Sequence, residues 1–187
     1  MKRTYLVHLS QLATPTGKTA RKGAKMAQLT EIADAALLFE DGKIAAVGTT
    51  EDVLKSAPPT ADSVIFDGTG KCAVPGFVDS HTHFLFGGYR EKEFLLRLQG
   101  AKYLDLLKAG GGIQSTVAAT RALSEEALLQ LGRARLSEML SQGVTTVEGK
   151  SGYGLDLPCE LNLLRVLNIL DREGPLEVVP TYLGAHA

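Results

Sequence analysis

The alternation of apolar and polar positions divides the chain near residue 70. Before that point apolar residues come in short runs, TYLVHL, AALLFE, KIAAVG and SVIFDG, each of strand length and bounded by turn-forming residues. Asp41-Gly42 separates the second run from the third by two residues that tolerate positive φ, which predicts a β-hairpin. The polar, lysine-bearing stretch from Thr14 to Lys25 predicts an exposed loop. Residues 1–70 therefore read as a small β unit.

From Lys71 the period changes. CAVPGFVDSH, VTTVEG and LEVVPTYLG predict three strands, and the segments between them carry apolar residues at helical spacing, the pattern of strand-helix units that build a parallel sheet. A first helix is expected from Glu93 to Ala109, with Phe94, Leu95, Leu98 and Leu107 apolar, ended by Gly110-Gly111-Gly112. A second has Ser124 as its cap, Glu125 and Glu126 at its positive end, Gly143 as its left-handed terminator, and Leu129, Leu136, Met139 and Leu140 as its buried stripe. A third opens at Pro158, with Leu161, Leu164, Leu167 and Leu170 roughly on one face. Three parallel strands cannot close a barrel, so the last strand should present an unpaired edge.

Composition adds exclusions. The chain of 187 residues is 44% hydrophobic and 22% charged, enough for one sizeable core. Its 20 basic and 21 acidic residues form no basic block, which argues against a nucleic acid or an anionic membrane as partner and leaves small polar substrates open. His8, Ser10 and Gln11 interrupt the apolar start, so no signal peptide is expected, and no apolar run approaches membrane-spanning length. Cys72 and Cys159 stand alone, which favours a reducing cytoplasm over a disulfide framework.

The candidate chemistry lies in GFVDSHTHFLFGGYRE. Two of only four histidines, His81 and His83, are separated by one residue where an apolar strand gives way to a glycine loop. Residues two apart on a strand share a side, so both imidazoles should project together, with Asp79 on the same face. Neutral imidazoles suit zinc or iron, and a catalytic site adds at least one more ligand and an open position for water. The bare tripeptide is as readily a pair of satisfied polar residues. Its place at the C-terminal end of a parallel strand, where barrel enzymes carry their chemistry, favours the metal.

PGFVDSHTH resembles the opening metal motif of the amidohydrolase superfamily. HTHFLFGGYREKEF, GGGIQSTVAATR, EGKSGYGLD and PTYLGAHA, in that order, resemble the imidazolonepropionase family, from about Lys71 to the last residue. The N-terminal strands fit the superfamily only loosely. The resemblance implies an α/β fold, the N-terminal part of a metal-dependent (β/α)8 barrel of about three strand-helix units over residues 71–187. Residues 1–70 would form a small β-sandwich segment, completed by the C-terminal end in the family. It implies that His81 and His83 hold one metal ion, zinc or iron, and that Arg90, Tyr153 and His186 contact substrate. The implied reaction opens the ring amide of 4-imidazolone-5-propanoate to N-formimino-L-glutamate, a step of histidine degradation.

Within that reading Arg90 would hold the propionate through two parallel hydrogen bonds, against the commoner fate of a solvated loop charge. Tyr153, flanked by glycines, would reach over the barrel mouth, and His186 would donate to the ring carbonyl. Lys150 could be a carbamylated lysine bridging two metals, but the resemblance is to a one-metal site and assigns it a supporting role. Gly110-Gly111-Gly112 lacks the phosphate-loop pattern and reads as a terminator or lid. Full-length members of the family are expected to be homodimers. Their remaining ligands and the acid/base group would lie beyond residue 187, so this chain alone is expected to be incompetent. Two alternatives stay open: an amidohydrolase acting on another cyclic amide or heterocycle, and a non-catalytic piece that assembles with a complementary segment or a second copy.

Overall fold

A computed structural model describes residues 2–17, 19–108 and 110–186. The chain divides into two compact units, Met1–Pro75 and Gly76–Ala187.

In the first unit, β1 (Arg3–Pro15), β2 (Leu29–Glu40), β3 (Lys43–Thr49) and β4 (Val64–Asp67) form a sheet in the order β3-β2-β1-β4, and β5 (Cys72–Ala73) also pairs with β1. The β1–β2 and β2–β3 pairs are antiparallel, whereas β4 and β5 run parallel to β1. The hairpin forms as its sequence predicts: Glu40 pairs with Lys43, and Asp41 and Gly42 adopt φ 50 and 81. The expected loop is shorter at its start, because Thr14 and Pro15 pair with Thr30 and Leu29 and the β1–β2 ladder outweighs their polar composition. Gly23–Ala27 then makes one turn of 3-10 helix. Lys18, within the expected loop, lies outside the described residues.

A bulge interrupts β1 between Leu6 and Leu9, where His8 adopts φ 56. It separates Val7, which packs with Tyr5, Ala36, Leu38 and Val53, from Leu9, which packs with Leu12, Ala35 and Leu37. A regular strand would have kept residues 7 and 9 on one face. The sequence reading missed α1 (Thr50–Ser56); the Thr49 hydroxyl starts it by accepting the Asp52 amide at 3.1 Å, and Val53 carries it into the first cluster.

In the second unit, β6 (Phe77–Thr82), β7 (Val144–Lys150) and β8 (Glu177–Thr181) form a parallel sheet in the order β6-β7-β8. The expected strand CAVPGFVDSH is thus two: Cys72–Ala73 belongs to the first sheet, Pro75 offers no N–H to a ladder, and pairing resumes at Phe77. The expected helix from Glu93 is also two, α2 (Glu91–Leu98) and α3 (Tyr103–Lys108), parted where Gly100 turns left-handed at φ 95. Its expected end, Ala109, lies outside the described residues. Phe94, Leu95, Leu98 and Leu107 are exposed rather than buried. The next helix, α4 (Ile113–Arg121), was not anticipated; Glu93 supplies its missing cap, accepting the Gly112 amide on both carboxylate oxygens at 3.0 Å.

Capping placed α5 (Glu125–Ser141) correctly. The Ser124 hydroxyl accepts the Ala127 amide at 3.2 Å, and Gly143 follows at φ 90. Leu129 and Leu136 are buried together with Leu128 and Gly132, whereas Leu140 is exposed. Gly132 lets α6 (Leu157–Glu173) approach, since a Cβ there would collide with Leu170. The buried face of α6 is Glu160, Leu163, Val166, Leu167 and Leu170. Leu161, expected on that face, is 48% exposed. A three-residue step falls ~60° short of a full turn, so a run of i+3 leucines winds away from the core. Phe84, Leu85, Val147, Leu176 and Val178 join α5 and α6 in one core on a single side of the sheet. Among the described residues no helix is long and apolar enough to cross a membrane.

Candidate functional site

The end of β6 is irregular, and the irregularity arranges the histidines. Asp79 pairs with Val147 and Thr82 with Gly149, three residues on β6 against two on β7. The extra residue reverses the alternation. Asp79 therefore does not share a face with the histidines, as simple alternation predicts. It lines a cavity on the helix side with Phe84, Arg135, Glu138 and Met139, and its Oδ1 meets the His81 amide at 3.4 Å. The His81 and His83 rings stand together, centroids 6.0 Å apart and planes inclined by 67°. His81 is exposed and His83 half-buried, so solvent reaches the pair.

His83 is also the centre of a ring cluster drawn from the ends of three strands. Its centroid lies 5.3 Å from Tyr153, on the loop after β7, and 4.3 Å from His186, on the segment after β8. Tyr153 and His186 meet edge to face at 5.5 Å. Arg90, at the start of α2, stands apart from this cluster but shares a cavity of about 180 Å³ with Tyr153, Phe86, Gly88 and Thr116. Its guanidinium approaches Glu93 at 3.9 Å. Tyr153 is thus common to the imidazole cluster and the arginine cavity.

Burial, and then the neighbouring His186, push the His83 imidazole below its ordinary pKa, which favours the neutral form that ligates metals. His83 Nδ1 is buried with no hydrogen-bond partner. Two imidazoles bonded at ~2.1 Å to one tetrahedral ion have centroids about 5–5.5 Å apart, so the observed 6.0 Å reaches a shared ion after a small turn of the exposed His81 ring. Among the described residues, no set of three histidine, cysteine, aspartate or glutamate side chains is arranged to hold one. Lys150 is engaged elsewhere: its ammonium donates to Glu148 at 2.7 Å, and Thr181 donates to the same carboxylate oxygen at 2.8 Å. These bonds, that from Lys150 first, hold the Glu148 carboxyl below the usual range.

Two charged side chains that the sequence reading did not single out hold the site's loops. Arg135 on α5 donates to the carbonyls of Phe84 and Phe86 at 2.7 and 2.8 Å and stacks 3.9 Å from the Phe86 ring centroid. Glu160 on α6 accepts the amides of Gly152, Gly154 and Leu155. A signal for Glu160 was present: it falls a helical step before Leu163 and Leu167, on the face that packs inward. Gly152, at φ 116, has no room for a side chain, because a Cβ would lie 2.7 Å from the His186 Cβ.

No family model matches the sequence. The chain is 49% identical over 178 residues to the imidazolonepropionase of Parabacteroides distasonis, a match that covers 95% of this chain and 42% of that protein. Its fold resembles guanine deaminase from Bradyrhizobium japonicum, with a TM-score of 0.66 at 17% identity over 96% of this chain and 35% of the other. A mutant atrazine chlorohydrolase from Arthrobacter aurescens, complexed with zinc and atraton, gives a TM-score of 0.60 at 20% identity over 95% and 35% of the two chains. The chain spans less than half the length of the curated relatives it matches.

Proposed function

We propose that this chain, the N-terminal portion of an amidohydrolase-superfamily protein, supplies the first part of an imidazolonepropionase site on an incomplete (β/α)8 barrel. The whole enzyme would open the ring amide of 4-imidazolone-5-propanoate to N-formimino-L-glutamate. The observation that carries the reading is the pair of solvent-reached imidazoles at the C-terminal end of β6, facing each other at 6.0 Å within a chain imidazolonepropionase-like along its length.

His81 and His83 would hold one zinc or iron ion, which when bound supplies a Lewis acid that activates water and polarises the ring carbonyl. The remaining steps belong to the chain itself. Arg90 offers two parallel donors to the propionate and so fixes which end of the substrate enters the cavity. Tyr153, between that cavity and the imidazoles, offers its hydroxyl to the ring. His186, which packs against His83, would donate to the carbonyl oxygen.

Two experiments test this. Cobalt(II), added as a spectroscopic substitute for zinc, should give visible absorption bands with the chain, and His81→Ala or His83→Ala should abolish them. Bands unchanged in both variants would remove the metal assignment. In a full-length form, Arg90→Met should raise KM for 4-imidazolone-5-propanoate at least about tenfold with a smaller change in kcat, the pattern of a lost uniform binding contact. Equal turnover of ring amides with and without the propionate would overturn the substrate.

A further inference from the structure

The loop Ser151–Leu155 faces a physical problem. It must hold Tyr153 between two ring systems while its own backbone turns twice through left-handed geometry, at Gly152 (φ 116) and Leu155 (φ 53). Its start is anchored by β8 and the segment after it: the Ser151 amide donates to the Thr181 carbonyl at 2.9 Å, and the Leu183 amide donates to the Ser151 hydroxyl at 2.9 Å. Its middle is held by one side chain. Glu160 accepts the Gly152 amide on both oxygens, at 2.9 and 3.1 Å, the Gly154 amide at 2.7 Å and the Leu155 amide at 2.9 Å.

Glu160 is 1% exposed, and among the described residues no lysine or arginine pairs with it. A buried carboxylate is costly unless satisfied, and here backbone donors satisfy it, aided by its place in the first turn of α6. Packing alone calls for an apolar residue at this position, since its neighbours on the face are Leu163, Leu167 and Leu170. The acid serves the loop instead. The Gly154 carbonyl, on the far side, accepts Arg121 Nε at 2.6 Å, and Arg121 also pairs with the cap residue Asp156 at 2.9 Å.

We infer that Glu160 is a positioning residue: its buried carboxylate gathers three loop amides and thereby aims Tyr153 at His83 and His186, a role whose catalytic meaning rests on the reading above. Glu160 acts through the backbone and lines none of the cavity shared by Arg90 and Tyr153.

Amide hydrogen exchange and ring-to-ring nuclear Overhauser contacts, measured on this chain without metal or substrate, test the inference. In the wild type, the Gly152, Gly154 and Leu155 amides should exchange as slowly as Val147 in β7, although they lie in a loop. In Glu160→Gln those three should exchange at least about tenfold faster, the change expected for losing charge-assisted bonds, and the Tyr153–His186 ring contact should disappear. Leu163, Val166 and Leu167 amides should keep their rates. Glu160→Asp, which keeps the charge, should restore the ring contact. Ring contacts and slow loop exchange that persist in Glu160→Gln would overturn the inference, as would open-loop exchange rates at the three amides in the wild type. Should Glu160→Gln also loosen α6, the wild-type exchange pattern decides alone. Loss of the metal assignment leaves this result standing, because no ion enters the measurement.

Discussion

Arg135 is the counterpart of Glu160 for the other loop. Its guanidinium ties the Phe84 and Phe86 carbonyls to α5 and donates to the Tyr89 hydroxyl at 3.1 Å, next to Arg90. Arg135→Met should destabilise the chain by about 1.5–3 kcal/mol in urea unfolding. Arg135→Lys should recover only part of that, since an ammonium can replace the two carbonyl bonds of Nη1 but neither the planar stack on Phe86 nor the separate bond of Nη2 to Tyr89. Gly152→Ala should cost about 1–3 kcal/mol by the same measurement, from positive φ and the collision with His186. Spacing alone pointed to a juxtaposed His81 and His83, yet the same rule misplaced Asp79, because a bulge leaves no local trace in HxH. Arg135 and Glu160 were not legible as loop holders. Each bonds backbone atoms, whose identity no side-chain pattern encodes, and the Arg135 partners lie 49 and 51 residues away.

Among the elements, legibility follows locality. Caps are local, and Ser124 and Gly143 bounded α5 correctly. Ser124→Ala should lower stability by about 1 kcal/mol in thermal or urea unfolding. Faces depend on phase accumulated along a helix, and there the run of i+3 leucines misled. The contrast is measurable on α6: Leu163→Ala should cost about 2–5 kcal/mol, while Leu161→Ala should stay within about 0.5 kcal/mol. The short helices α1 and α4 escaped notice because seven and nine residues give too few turns for a periodic signal. The single helix expected over α2 and α3 failed at Gly100, which apolar spacing around it did not reveal.

For the molecule as a whole, strand order was readable, since alternating strands and helices leave few topologies and β6-β7-β8 is the simplest. Whether these strands belong to a barrel was not, because closure depends on more strand pairings than β6-β7-β8 provides. With two imidazoles and no third ligand arranged among the described residues, this chain with zinc or iron should show no sustained hydrolysis of 4-imidazolone-5-propanoate. Continuous turnover above the metal-only control would refute that expectation. The crowding around Gly152 reaches further. With a neighbour that admits no side chain and three amides already committed to Glu160, the turn after β7 can change its side-chain chemistry at position 153 without giving up a bond to Glu160. Libraries that vary position 153 should therefore return folded clones more often than libraries spread over Gly152 and Gly154, a difference that protease resistance measures.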